Sequence, residues 1–270
     1  MAVKAVHLEV VSELTSDGFL AALRRFISRR GIPTHVYSDN GTNFIGANNQ
    51  LKELYVLFNS DQHKNKINQF SIENRITWHF IPPIAPYHGG LWESTVKLFK
   101  HHFKRVVGEL LFTFEELNTF TVEVKRILNS RPISSISSDP NDLLVLTPAH
   151  CLIGRPLICM PEPDFSSVPA NRLSSWKHIT KVRQDFSSRW SLEYLNELQI
   201  RCKWTKDGET IIGMIVLIKE KGLPCMQWAL GKILQTHPGT DDIVRTVTIK
   251  TATGELKRSV KYICPLPIEQ

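Results

Sequence analysis

The sequence has few cysteines and no long apolar run. Its five cysteines are scattered over 270 residues. No two form a C-x-x-C pair, and no histidine pair has zinc-finger spacing with them. We therefore expect reduced thiols in an intracellular protein, not a disulfide scaffold or a structural zinc site. No apolar run reaches the roughly 18 residues of a membrane span, and the first residues carry no signal-peptide pattern, so we expect no membrane partner.

A positive charge excess is present instead. The formal net charge is +7 and the pI is near 9.2. Residues 1–150 hold 16 basic and 14 acidic side chains, whereas residues 151–270 hold 17 and 12. This balance favours an anionic partner, above all nucleic acid. A soluble basic protein without such a partner can have the same composition. The apolar fraction of 42% is sufficient for a folded core in one large domain or two modest ones.

Strands alternate with helices in the first half of the chain, which predicts an α/β layer. Ser16 is the expected cap of the first helix and Gly31 its end, while Thr113 and Glu116 form a capping-box pattern. The predicted strands are residues 5–11, 35–37 and 77–81, and the predicted helices are residues 17–30, 48–57, 59–72, 91–107 and 113–129.

The second half has a different pattern. A proline-rich stretch at residues 155–169 predicts an extended linker, and a helix is predicted at residues 176–204. The aromatic stripe of that helix, like Trp228 further on, is best explained by packing. Four short strands, at residues 214–218, 227–235, 244–250 and 256–262, predict a small β-barrel. The predicted domains are residues 1–154, 155–207 and 208–270.

Two acidic residues stand in unlike settings. Asp39 follows a short strand, and Glu93 opens a helix on which Lys97, Lys100 and Lys104 share one face. Two carboxylates on rigid elements suit a metal ion, and the lysines suit a phosphate backbone beside it. Taken singly, Asp39 is a turn former, Glu93 a helix-start carboxylate and the lysines a solvated face.

Four motifs carry a resemblance to a known family. Residues 38–44 (SDNGTNF), 89–93 (GGLWE), 129–132 (NSRP) and 146–150 (LTPAH) are similar to markers of the integrase core of long-terminal-repeat retrotransposons. The match is closest to the Pao/BEL type and covers most of the chain. The resemblance implies a ribonuclease-H-like α/β core, truncated at its N-terminus, followed by a helical linker and an SH3-like β-barrel.

The resemblance also implies a chemistry. Members of this family carry out 3′-processing and strand transfer of element DNA with two Mg²⁺ or Mn²⁺ ions. Asp39 and Glu93 match the second and third catalytic acids and are the expected metal ligands. The implied partners are element and target DNA and further copies of the chain, in the nucleus, with no small-molecule cofactor.

The sequence departs from the family at its start. The family's first catalytic aspartate lies on a strand well upstream of residues 5–11, and the sequence as written, which begins at Met1, does not contain it. We expect the chain as written to be inactive or nearly so, and Glu9 to be structural or surface-exposed. The alternative function is a non-catalytic DNA- or chromatin-binding protein derived from an integrase. A decayed element without activity is the third possibility.

Further DNA contacts are expected from loop and barrel residues. Asn43 either binds a phosphate or orders the Asp39 turn. Tyr87 and His88 lie in a predicted loop at residues 82–90 and either stack on a displaced base or are solvated. In the barrel, a diffuse basic surface includes Lys257 and Arg258.

Overall fold

The structure is a computed structural model that describes residues 3–13, 15–38, 76–80, 90–136, 143–199, 212–220 and 222–266. The chain divides into two compact units. The smaller unit is Leu8–His101, and the larger unit is Met1–His7 with His102–Gln270. Within the described residues, no helix combines the length and the apolar character needed to cross a lipid bilayer.

The first helix of the smaller unit, α1, spans Ser16–Arg30. Its N-cap is Thr15, whose hydroxyl accepts a hydrogen bond from the Gly18 N–H at 3.0 Å. The predicted cap, Ser16, is therefore wrong by one residue, because Thr15 has the extended backbone that a cap requires. Gly31 ends the helix as predicted, with φ of 84° and its N–H bonded to the Ile27 carbonyl at 2.8 Å.

Two short parallel strands follow. β1 spans His35–Ser38 and β2 spans Thr77–Phe80, paired in register from His35 opposite Thr77. Both confirm the predicted strands within the described residues. Parallel neighbours require a crossover connection, and the helices predicted at residues 48–57 and 59–72 lie outside the described residues.

Helix α2 spans Gly90–Val107 and α3 spans Phe114–Asn129, close to their predicted bounds. The predicted capping box of α3 is confirmed. The Glu116 N–H donates to the Thr113 hydroxyl at 3.3 Å, and the Glu116 carboxylate accepts from the Thr113 N–H at 2.8 Å. A cap of this kind fixes the start of α3, whose later turns are buried.

The predicted strand at residues 5–11 is wrong, because the structure has no strand in this segment. A strand needs a backbone partner, whereas the partner of Val6 is a side chain. The Asn129 amide binds both the N–H and the carbonyl of Val6, each at 2.8 Å. The alternating sequence thus forms an extended segment, and Asn129 at the end of α3 holds that segment in place.

A small hairpin and a long helix follow in the larger unit. The hairpin strands are β3, Ser134–Ser135, and β4, Val145–Leu146, and a short helix α4, Pro148–Ile153, follows. A 3₁₀ turn, Ala170–Arg172, precedes helix α5, Ser175–Leu198. The prediction that this helix reaches residue 204 is wrong in its end, because Gln199 has a ψ of 85° and leaves the helical conformation.

The aromatic stripe of α5 packs into the core, as predicted. Phe186 and Trp190 are buried. The Phe186 ring meets Phe120 edge-on at 6.1 Å, and Trp190 meets Trp228 edge-on at 6.0 Å. Trp228 also contacts Tyr194 at 5.6 Å, which confirms its packing role.

The C-terminal part forms one five-stranded antiparallel sheet. Its strands are β5 (Ile215–Ile218), β6 (Leu230–Pro238), β7 (Val244–Thr251), β8 (Gly254–Ser259) and β9 (Ile263–Pro265). The strand order is β8-β7-β6-β5-β9. The predicted strand at residues 256–262 is split, because a 3₁₀ turn, Val260–Tyr262, separates β8 from β9.

Strand β5 is buried on both of its faces. Val216 and Ile218 join a core with residues of β6, β7 and β9, whereas Ile215 and Leu217 face the end of α5, where Leu195 packs on them. Because successive strand residues point to opposite faces, the end of α5 packs on one face of β5 and the main sheet core lies on the other. The chain is thus a mixed helix and sheet protein.

Candidate nucleic-acid interface and acidic pair

The predicted acidic pair is only half described. Glu93 lies in the first turn of α2 and is exposed. Asp39 directly follows the last residue of β1 and lies outside the described residues, so the separation of the two carboxylates stays a prediction. No cluster of three or more potential metal ligands occurs in the described part of the chain.

The predicted lysine face exists on α2. At 100° per residue, Glu93, Lys97, Lys100 and Lys104 lie within an arc of about 60° around the helix axis. All four side chains are exposed. Glu93 lies near the middle of this arc. We call these three lysines the α2 lysine face.

The buried side of α2 includes a histidine. His102 is 2% exposed, and its Nε2 lies 3.2 Å from the Glu193 carboxylate on α5. Its ring also meets Phe186 edge-on at 5.5 Å. Phe103 stacks in turn with Phe112 and Phe120, at 5.9 and 5.4 Å. These contacts fix the second half of the helix that carries Lys104.

Three predicted DNA contacts, Asn43, Tyr87 and His88, lie outside the described residues. Their roles in the Asp39 turn and in the loop before α2 stay predictions. The structure describes the two predicted sheet contacts, Lys257 and Arg258, which follow each other on β8.

Lys257 and Arg258 point to opposite faces of the sheet. Arg258 stands opposite Val247, a fully buried core residue, whereas Lys257 stands opposite Thr248. Adjacent strand residues alternate in direction, so the two side chains do not form one surface. Lys257 is exposed and Arg258 is half-buried, as this alternation requires.

Lys257 belongs to a set of three lysines on neighbouring strands. Lys232 on β6 pairs directly with Lys250 on β7, and Lys250 also stands opposite Glu255 on β8. The pairing places Lys232, Lys250 and Lys257 on the face turned away from the Val247 core. We call them the sheet lysine face. The register of three consecutive strands decides this grouping, which the sequence pattern showed only as a diffuse basic surface.

Sequence reasoning did not find the buried ion cluster at Arg183. This residue is 4% exposed on α5, and its Nε lies 3.1 Å from the Glu123 carboxylate of α3. It also binds Glu162 in the proline-rich segment, where Gln184 donates to the other Glu162 oxygen at 3.0 Å. Glu162 therefore attaches this proline-rich segment to α5.

The two acids of this cluster have opposite pKa shifts. Burial acts to raise the pKa of Glu162, but hydrogen bonds from Arg183 and Gln184 hold it below its ordinary value. Burial raises the pKa of Glu123 above its ordinary value despite the charge of Arg183. Glu162 accepts hydrogen bonds from two side chains, whereas Glu123 forms an ion pair with Arg183 and also faces the like charge of Glu162, which raises its pKa further. The only sequence signal for this cluster is an arginine beside the apolar stripe of α5.

The 129–132 motif also has a structural role. Asn129 holds Val6, and the Arg131 guanidinium donates to the Leu128 and Lys4 carbonyls, each at 2.6 Å. Tyr194 on α5 donates to the carbonyl of Pro132. Burial raises the pKa of Tyr194 to about 12, so its hydroxyl keeps the donated proton. In the described structure, the side chains of this motif therefore form hydrogen bonds with backbone groups of neighbouring segments.

Two comparisons with known proteins give matches. A model for a family of unknown function, DUF5641, matches residues 174–266, which run from the start of α5 through the sheet. A chain in the cryoEM structure of a simian T-cell lymphotropic virus intasome in complex with PP2A regulatory subunit B56 gamma is similar at 14% identity and a TM-score of 0.33. The similarity covers 95% of this chain and 66% of that one. A comparison with curated proteins finds no match.

Proposed function

We propose that this chain is an integrase-derived, DNA-binding polypeptide of Pao/BEL retrotransposon type. Its ancestral reaction is DNA integration by divalent-ion-dependent phosphoryl transfer, with Asp39 and Glu93 as metal ligands. The observation that supports this best is the position of Glu93, which lies in the first turn of α2 within the arc of the α2 lysine face. That helix start is also the end of the GGLWE motif.

The residues fit the proposed chemistry. Carboxylate oxygens are the ligands that Mg²⁺ prefers, and Asp39 follows a strand while Glu93 begins a helix, so both attach to rigid elements. Asp39 and Glu93 would hold Mg²⁺ or Mn²⁺, and the ions would supply activation of the attacking oxygen and stabilisation of the leaving oxygen. The α2 lysine face would hold the phosphate backbone alongside, and Asn43, Tyr87 and His88 would contact the DNA from the neighbouring loops. No third carboxylate ligand is assigned.

The C-terminal sheet supports the second half of the proposal. We propose that it is an SH3-like domain that binds DNA through the sheet lysine face. Its last strand pairs with its first, in the order β8-β7-β6-β5-β9, and its main core lies on the opposite face from the lysines. Self-association and a nuclear location belong to the same proposal.

Counting bound Mn²⁺ by electron paramagnetic resonance tests the acidic pair. Wild-type chain should bind Mn²⁺ in competition with Mg²⁺, and Asp39→Asn and Glu93→Gln should each remove that binding. Glu109→Gln, which removes another exposed carboxylate just beyond α2, is the matched control and should change nothing. Equal Mn²⁺ binding in wild type and both site variants would exclude the proposed metal pair.

The alternative is a non-catalytic DNA-binding protein. It is favoured by the two lysine faces, which do not depend on the acids. A strand-transfer assay on paired DNA ends with Mn²⁺ separates the two functions. Transfer that Asp39→Asn abolishes supports the enzyme. Salt-dependent DNA binding without a Mn²⁺ site at Asp39 and Glu93 supports the alternative.

A further inference from the structure

Two histidine side chains meet on one face of the β1–β2 pair. His79 stands opposite Tyr37, and His35 lies two residues before Tyr37 on the same strand, so all three side chains point the same way. The Nδ1 atom of His35 lies 3.0 Å from the Nε2 atom of His79. The contact lies at the exposed surface.

The Tyr37 ring orients this pair. It stacks on the His79 ring with a centroid distance of 4.6 Å and an interplanar angle of 14°. The His35 and His79 ring centroids are 5.2 Å apart. Tyr37 therefore limits the rotation of His79 and keeps its Nε2 turned towards His35, as a neighbouring group does for a ligand histidine.

The distance between the two nitrogens suits a shared metal ion. Two imidazole nitrogens bound at about 2.0–2.1 Å to one ion lie about 2.9 Å apart at a right angle and about 3.3 Å apart at the tetrahedral angle. The observed 3.0 Å falls within this range. We propose that His35 and His79 bind one divalent transition-metal ion, with Zn²⁺ as the reference ion and water in the remaining positions.

Binding requires a small change that balances in protons. In the metal-free pair, one ring nitrogen donates its hydrogen to the other. When the ion enters, that ring moves its hydrogen to its other nitrogen, so both facing nitrogens present lone pairs and no net proton is released. Both rings must be neutral, and acidification therefore releases the ion.

This site differs in chemistry from the acidic pair. Imidazole nitrogen favours Zn²⁺, Cu²⁺ and Ni²⁺, whereas carboxylate oxygen favours Mg²⁺ and Mn²⁺. The proposed histidine site therefore does not depend on the proposed function. No cluster of three or more potential metal ligands occurs among the described residues. With two protein ligands and water in the other positions, we expect an exchangeable ion.

Calorimetric titration of the full chain with Zn²⁺, in the presence of excess Mg²⁺, tests the site. His35→Gln and His79→Gln should each lose one equivalent of Zn²⁺ binding relative to wild type, with unchanged far-ultraviolet circular dichroism. His178→Gln, a histidine on α5, is the matched control and should keep that equivalent. Asp39→Asn should keep it too, because its carboxylate is not a proposed ligand here.

The remaining outcomes decide against the site. If both histidine variants bind Zn²⁺ as wild type does, the pair is only a hydrogen bond between two rings. If Asp39→Asn removes the equivalent and the histidine variants keep it, Zn²⁺ binds at the acidic pair. To guard against a folding defect, the His35 and His79 ring proton resonances of wild type are followed during titration. Absence of a Zn²⁺-dependent shift in both rings also overturns the proposal.

Discussion

Asn129 and Val6, 123 residues apart, are joined by a pair of hydrogen bonds of the kind that two strands exchange. The Asn129 side-chain oxygen accepts from the Val6 N–H, and its amide nitrogen donates to the Val6 carbonyl. A third bond runs from the same nitrogen to the Lys125 carbonyl at 2.9 Å. Asn129 is 1% exposed, so its amide depends on these protein partners for its hydrogen bonds.

Asn129→Ala should therefore destabilise the larger unit. The change removes the side chain that binds the N–H and the carbonyl of Val6, two part-buried groups, so we expect a total loss of about 1–3 kcal/mol in the free energy of unfolding. Urea denaturation measures the loss. Amide hydrogen exchange at Val6 should rise at the same time, because its N–H loses its acceptor.

Asn196→Ala is the matched control for this change. Asn196 is an exposed asparagine on α5 whose amide oxygen accepts from Lys219 at 2.8 Å. Its removal should alter the unfolding free energy by about 0.5 kcal/mol or less, since exposed groups find water instead. Unchanged Val6 exchange in Asn129→Ala would show that the asparagine does not hold the N-terminal segment.

Replacing the three residues of the α2 lysine face by glutamine should weaken duplex DNA binding with little effect on sequence preference. Lysines contact phosphates, which carry little base information. Each neutralised phosphate releases about 0.9 counterion, so the slope of log K against log salt should flatten by up to about 2.7 units. The helix should persist, because glutamine is nearly as good a helix former as lysine.

Arg105→Gln is the control for that experiment. Arg105 is exposed in the last turn of the same helix but lies about 110° from the middle of the lysine face. It removes one charge without touching the face, so the salt slope should keep nearly its wild-type value. Equal slopes for wild type and the triple variant would make the α2 lysine face an ordinary solvated surface.

The Arg183 cluster predicts acid sensitivity of the larger unit. Because the folded pKa of Glu162 is below its ordinary value of 4.5, its contribution to stability is present above that pH. That contribution is lost as the pH falls through the lowered folded pKa. Glu162→Gln should therefore be less stable than wild type near neutrality, and its loss of stability on acidification below pH 4.5 should be smaller. Urea denaturation across this range measures both differences.

Glu123 also pairs with Arg183, but Glu123→Gln should change stability with pH in the opposite direction. Its folded pKa is raised, so its contribution is present below the unfolded pKa and lost as the pH rises through the folded pKa. The difference in stability between this variant and wild type should thus move the other way with pH. Parallel pH profiles for the two variants would contradict the opposite shifts of the two carboxyls.

Much of the local structure was predictable because its signals are local. The Thr113 capping box, the Gly31 helix end and strands β1 and β2 each follow from a few neighbouring residues. The extended segment around Val6 shows the limit. Its alternation has the strand period, but whether it becomes a strand depends on a partner that lies at the end of α3.

The lysines on the helix were easier to group from the sequence than the lysines on the sheet. The α2 lysine face follows from helix periodicity alone, since residues three and four apart share a side. On the sheet, the sequence predicted a diffuse basic surface that includes Lys257 and Arg258, and the alternation of strand residues places these two side chains on opposite faces. The contact between Lys232 and Lys250 depends on strand pairing, which local sequence does not determine.

This alternation gives the last prediction, on the sheet lysine face. Lys257→Gln should weaken duplex DNA binding and flatten its salt slope by up to about 0.9 unit, because one phosphate contact is lost. Arg258→Gln removes the same charge from the neighbouring position, yet its side chain stands opposite buried Val247 on the core face. It should leave the salt slope unchanged and affect stability instead.

Fluorescence anisotropy with a duplex at several salt concentrations compares the two variants. Equal flattening by both would mean that DNA contacts the edge of β8, where side chains of either face can reach the backbone, and not the face that carries Lys232 and Lys250.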